Sequence, residues 1–138
     1  METCIFCKII KGEIPSYKVY EDENFYAFLD IKPINPGHTL LIPKVHREDL
    51  FAFDEKILES LGSAIQKIGQ AVKESTGADG LNLGMNNGAA AGQLIFHAHL
   101  HLIPRFSGDG FKHWEGKTVP TSEEFADLQK KIGESLEK

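Results

Sequence analysis

The sequence predicts an α+β fold, a five-stranded antiparallel sheet with one long central helix and a C-terminal helix packed around it. Three observations lead to it. Short runs of β-branched and aromatic residues come in pairs separated by turn residues, the pattern of antiparallel hairpins. Two other segments, one central and one C-terminal, repeat apolar residues at helical spacing. These helices are inserted between strand pairs rather than alternating with single strands, which argues against a doubly wound parallel sheet. A chain of 138 residues suits one domain over 1–138.

The elements follow in order. Residues 5–11 read as a short helical turn, ended by Gly12 and Pro15. Residues 17–21 and 25–31 read as two strands joined by a tight turn at Asp22-Glu23-Asn24, a hairpin by composition. Pro33, Asn35, Pro36 and Gly37 make residues 32–37 a loop, and His38 to Pro43 is a third strand. Asp54 caps the longest helix, whose stripe Ile57, Leu61, Ile65, Ile68, Val72 is core, and Gly77 stops it. Gly80 to Met85 is a fourth strand. Asn86 to Gln93 is rich in small residues, which would let a ligand approach the backbone and let N–H groups form an anion nest; an ordinary hairpin loop has the same composition. The run from His97 to Arg105 alternates as a fifth strand. Residues 107–120, with His113 and Trp114, are irregular and either cover a pocket or wrap the surface. Thr121-Ser122-Glu123-Glu124 opens a second amphipathic helix carrying Phe125, Leu128, Ile132 and Leu136.

Composition excludes several functions. Twenty acidic against fifteen basic residues give a net charge of −5, the wrong sign for a dedicated nucleic-acid backbone binder. No apolar run approaches the ~18 residues of a membrane span, and the first residues lack a secretory pattern, so the expectation is a cytoplasmic protein without membrane contact. Two cysteines, Cys4 and Cys7, form a C-x-x-C. A disulfide framework would carry more cysteines, and a thioredoxin-like pair would follow a strand. Half of a zinc site fits better; two small hydrophobes is the plainer alternative.

Three of the six histidines fall in five residues, His97-Ala98-His99-Leu100-His101. By composition this is roughly a 1% coincidence, so chance is set aside. On a strand the three imidazoles share one face, ~6.6 Å apart, while Ala98, Leu100 and Leu102 face the core. Co-facial imidazoles suit metal ligation, or reaction at phosphorus with one neutral ring attacking and its neighbours donating hydrogen bonds. Spacing alone leaves both open.

The pattern His97-Ala98-His99-Leu100-His101-Leu102-Ile103 resembles the signature of the histidine triad (HIT) family. The resemblance extends to Gly92-Gln93, Pro36-Gly37-His38, Leu29-Asp30-Ile31 and Cys4-Ile5-Phe6-Cys7-Lys8-Ile9-Ile10, covering about residues 4–105. It implies a nucleotidyl hydrolase or transferase acting at the α-phosphorus of adenylated nucleotides, dinucleoside polyphosphates or nucleoside phosphoramidates, with no organic cofactor. By that resemblance His97, His99, His101, His38 and Gln93 are the catalytic set. His99 is the nucleophile, His101 and His38 contact phosphate or orient the nucleophile, and Gln93 lies on the leaving-group side. Asp30 takes the ribose hydroxyls; Phe6, Ile9, Phe28 and Ile31 wall a purine base; Asn86 and Gly92 lie near ribose and phosphate. Phe28 and Ile31 are equally readable as plain core.

The resemblance, to small bacterial-type members, also completes a structural zinc site from Cys4, Cys7, His46 and His97, with His113 as a substitute ligand. Strict alternation puts His97 on the face of His99, so zinc ligation requires the strand end to turn locally. A homodimer with strands extended across its interface is implied as well. Two departures bear on substrate. Leu94 stands where the phosphoramidate-cleaving branch has serine, and the tryptophan-proline ending of that branch is missing. Leu94 looks more like the dinucleoside-polyphosphate branch. Two other readings stand beside this one: a non-catalytic nucleotide-binding or partner-docking protein, and a metalloenzyme with His97, His99 and His101 on one catalytic ion.

Overall fold

A computed structural model describes residues 3–112 and 114–138. Among these residues the α-helices and strands follow in order: α1 (Ile5–Ile10), β1 (Lys18–Glu21), β2 (Phe25–Leu29), β3 (Thr39–Pro43), α2 (Glu55–Thr76), β4 (Gly80–Met85), β5 (Leu100–Arg105) and α3 (Ser122–Leu136). The strands form one antiparallel sheet in the order β1-β2-β3-β5-β4.

The turn between β1 and β2 is closed by Asp22, whose Oδ1 accepts the N–H groups of Asn24 and Phe25, each at 2.7 Å. Helix α2 is capped by Asp54, which accepts the Ile57 N–H, and stopped by Gly77 in the left-handed region at φ 69°.

The two faces of the sheet have different partners. Phe25, Ala27, Leu41, Leu100 and Leu102 face α2 and bury Ile57, Ala64 and Ile68 against themselves. Tyr26, Phe28, Leu40 and Ile42 point the other way and receive Phe6 and Ile9 of α1. Register aligns Phe28 with Leu40, Leu40 with His101 and His101 with Gly84. Residues opposite one another share a face, so His101 sits on the α1 side of the sheet, beside an apolar floor.

Entry to β3 needs a glycine. Gly37 has φ 100°, and a Cβ there would lie 2.6 Å from the Thr76 Cγ2 at the end of α2. The turn therefore closes against α2 and delivers His38 to the head of the strand.

Two expectations change. The ladder of β5 begins at Leu100 rather than His97, because the Ala98 N–H leaves it to donate to the Arg47 carbonyl at 2.7 Å. Helix α3 forms with its capping box, Thr121 and Glu124 bonding reciprocally, but it does not pack on the sheet as expected; Phe125, Leu128, Ile132 and Leu136 stay exposed.

Candidate active site

Because the chain departs from the ladder at Ala98, His97 turns away from the face of His99. Its ring is fully buried, and Nε2 lies 2.8 Å from the Pro43 carbonyl. A carbonyl only accepts, so Nε2 carries the hydrogen and Nδ1 keeps its lone pair. Nδ1 faces the Sγ atoms of Cys4 and Cys7, 3.5 Å from each, and Cys7 Sγ is 3.3 Å from His46 Nδ1. The four donor atoms lie within 4.8 Å of one another. Tetrahedral zinc with bonds of ~2.0–2.3 Å needs donors roughly 3.3–3.8 Å apart, so Cys4, Cys7, His46 and His97 fit a closed Cys₂His₂ site. Burial and the neighbouring Cys4 sulfur push the Cys7 thiol up; a dication would favour its thiolate instead. His113, the substitute ligand, lies outside the described residues.

The carbonyl of His97 serves the next histidine. His99 Nδ1 lies 2.8 Å from that oxygen, so Nδ1 donates and Nε2 holds a lone pair. The His99 ring is packed between Phe6 and His101, at centroid distances of 5.2 and 5.1 Å.

A second chain of bonds sets His101. The Ile34 N–H donates to His38 Nδ1 at 3.1 Å, so the neutral His38 ring carries its hydrogen on Nε2. That Nε2–H donates to His101 Nδ1 at 2.9 Å, which leaves His101 with an Nε2–H donor. His99 thus presents a lone pair and its neighbour a hydrogen-bond donor, the pairing that attack on a phosphoryl group requires.

This tautomer chain requires neutral rings. Burial lowers the His101 pKa to about 4, and the neighbouring His99 and His38 push the same way; burial also lowers His38, against the pull of Asp30. An unfolded chain would protonate His101 near its ordinary 6.5. Between those values the unfolded state binds more protons, so stability should rise with pH from about 4 to 6.5. Urea melts across that window, compared with those of His101→Gln, should show a shallower slope in the variant. Equal slopes would remove His101 as a source.

The remaining predicted residues divide. Asp30 lies near His38 (carboxylate oxygen to Nε2, 3.7 Å), and its other oxygen accepts the Lys32 N–H. Phe6, Ile9 and Phe28 form the buried apolar wall beside the histidines, whereas Ile31, 79% exposed, is no part of the core. Asn86 reaches the Gly92 carbonyl at 3.4 Å, and Gly92 has φ 93°.

Gln93 turns inward rather than presenting its amide at the site. Its oxygen accepts the Gly88 N–H, and its nitrogen donates to the carbonyls of Glu48 and Ile95. It shapes the loop. The expected anion nest is likewise closed at Ala91, Gly92 and Gln93, whose N–H groups bond to carbonyls of Gly88 and Ala89.

A shared catalytic ion on His97, His99 and His101 does not fit, because both His97 nitrogens are directed elsewhere. Among the described residues a second group able to hold a metal is Asp30, His38 and His101. The groups that sequence reading missed are main-chain: the carbonyls of Pro43, Arg47 and His97 and the Ile34 N–H. No residue type announces them.

Comparison with known proteins places these features in context. A family model described as the HIT domain matches residues 11–108. Protein hit of Bacillus subtilis is 51% identical over 111 residues, covering 80% of this chain and 77% of that protein. An Arabidopsis thaliana protein named adenylylsulfatase HINT3 is 46% identical over 106 residues, 77% of this chain and 54% of that one. Among solved structures, SMU.412c of Streptococcus mutans superposes with a TM-score of 0.92 at 43% identity, covering 99% of this chain and 87% of that chain. A zinc-bound histidine triad family protein from Mycobacterium smegmatis superposes with a TM-score of 0.74 at 39% identity, covering 99% and 96%.

Proposed function

The chain belongs to the HIT family, and from that premise we propose that it hydrolyses adenylated nucleotides at the α-phosphorus through a covalent nucleotidyl-His99. The observation that carries this reading is the bond from His99 Nδ1–H to the His97 carbonyl, which directs the lone pair to Nε2. A relative named adenylylsulfatase supports hydrolysis of an adenylyl bond.

In the first step His99 Nε2 attacks phosphorus, a P–N bond forms, and the bond from phosphorus to the leaving group breaks. The leaving group departs with the electron pair and takes up a proton from solvent. The Nδ1 hydrogen stays on the ring, where the His97 carbonyl stabilises the positive charge. His101 Nε2–H donates to a phosphoryl oxygen as charge develops. In the second step water attacks phosphorus and gives up a proton to solvent, the P–N pair returns to Nε2, and a nucleoside monophosphate leaves. Asp30 accepts the ribose hydroxyls, and Phe6 with Ile31 flanks a purine base. Asn86 and Gly92 border the phosphate, while Gln93 acts by holding their loop.

Cys4, Cys7, His46 and His97 would hold zinc as a structural ion that ties α1 to the sheet. The similarity to a zinc-bound relative supports this, and no catalytic step passes through the ion. Residues 1–138 form one HIT domain in this reading, acting in the cytoplasm as a homodimer extended through sheet edges. Among the described residues no helix is long and apolar enough to cross a membrane.

Rapid quenching with diadenosine tetraphosphate, followed by peptide mass spectrometry, should find an adenylyl increment on His99. Tight AMP binding without turnover of any adenylated substrate would favour a non-catalytic binding protein instead.

A further inference from the structure

Residues 31–36, which lead the chain into β3, are exposed with one exception. Asn35 is half-buried, and its side chain turns back into the molecule. Its amide nitrogen donates to the Pro104 carbonyl of β5 at 2.9 Å and to Asp109 Oδ2 at 3.0 Å. Both amide hydrogens are thereby used. Among the described residues, no other side chain of 31–36 hydrogen-bonds to β5 or to the turn that follows it.

The far end of this tie is fixed. Arg105 Nε and Nη2 donate to the two Asp109 oxygens, each at 2.7 Å. The same carboxylate accepts the N–H groups of Phe106 and Phe111. The Arg105 guanidinium holds the Asp109 carboxyl well below the usual carboxylate range, so Asn35 meets a charged acceptor, stronger than a neutral one.

The near end carries a histidine. The Asn35 carbonyl accepts the His38 N–H at 3.0 Å, and the N–H of the preceding residue, Ile34, donates to His38 Nδ1. The main chain on either side of the Asn35 side chain therefore holds His38 by its backbone and by its ring. With Ile34 in place, the His38 hydrogen stays on Nε2, His101 Nδ1 accepts it, and His101 keeps its Nε2–H donor. If the loop moves outward, the Ile34 N–H leaves Nδ1. The reversed pairing, with hydrogen on Nδ1 of both rings, then competes. In it His101 Nε2 presents a lone pair, which repels a phosphoryl oxygen instead of donating to it.

We propose that Asn35 is a positioning residue: anchored on Pro104 and Asp109, it sets the tautomers of His38 and His101 through the Ile34 N–H. The kinetic consequence rests on the hydrolase reading above; the tautomers rest on the hydrogen bonds alone.

Long-range proton–nitrogen correlation spectra of isotope-labelled protein at neutral pH read both tautomers. In the parent, His38 and His101 should each carry hydrogen on Nε2 alone. Asn35→Ala should bring the Nδ1–H form of both rings into exchange with it. The same variant should lower kcat for diadenosine tetraphosphate roughly tenfold, the worth of one well-placed hydrogen bond, with KM within about twofold. Asn35→Ser, whose hydroxyl is too short to bridge to Asp109, is read the same way and stands in if the alanine variant does not fold. Asn82→Ala removes a bond to the same Arg105 from the β4 side and should leave the ring nitrogens unchanged. Unaltered rings in the Asn35 variants, an equal disturbance by Asn82→Ala, or a parent His38 with hydrogen on Nδ1 would each overturn the proposal. If the parent protein turns over no adenylated substrate and forms no His99 adduct, the hydrolase reading falls, and the spectra still decide whether Asn35 sets the two rings.

Discussion

Replacing His99 with alanine should lower turnover of diadenosine tetraphosphate by on the order of 10⁴-fold or more, with affinity for AMP held within a few-fold. The large effect follows from the loss of the attacking lone pair, for which the surroundings offer no substitute. His101 presents a donor, since its Nδ1 already accepts from His38. His97 has its nitrogens on Pro43 and the cysteines. Affinity persists because the apolar wall and Asp30 belong to α1 and β2 and their flanks. His101→Gln should cost less, about 10²-fold in kcat, as one donor to the transition state is weakened. Single-turnover quenching of both variants measures these effects. Turnover by His99→Ala within tenfold of the parent would place the nucleophile elsewhere.

Removing the metal site should produce the largest change in stability. The double substitution Cys4→Ser/Cys7→Ser, or a strong chelator, should abolish one equivalent of bound zinc and lower Tm by about 10–20 °C. An ion held at ~1,000 times its Kd contributes about 4 kcal/mol, and for a chain of this size each kcal/mol moves Tm by a few degrees. The structural route is short. Cys4 caps α1 and Cys7 lies within it, while Phe6 and Ile9 between and after them close the outer face of the sheet. Freed of the ion, this single helical turn has too few hydrogen bonds to persist alone. Calorimetry paired with elemental analysis is the measurement. Metal retained without the cysteines would point to Asp30, His38 and His101 as its holder; absence of metal from the parent protein would refute the site.

Much of this architecture was legible from pattern. The stripe of α2 and its caps at Asp54 and Gly77 are local properties, and local physics decided them. The order of the histidines along the chain was legible as well. Their division into two sites was less so. Alternation predicts shared faces only while a strand stays in its ladder, and the departure at Ala98 depends on the Arg47 carbonyl, fifty-one residues earlier in a loop. Gln93 illustrates another limit. A buried amide with three main-chain partners looks, in sequence, the same as one facing a ligand. Helix α3 was predictable from its capping box, but periodicity names an apolar face without saying what covers it.

His97 has an implication for mutational genetics. Its side chain and its carbonyl act in different places, the ring on the cysteines and the oxygen on His99. Alanine at this position deletes only the first. A substitution scan would therefore score His97 as a stability position and miss its part in orienting His99, the proposed nucleophile. Only an edit of the main chain, such as an ester in place of the amide that follows His97, would weaken that oxygen as an acceptor and expose the second role.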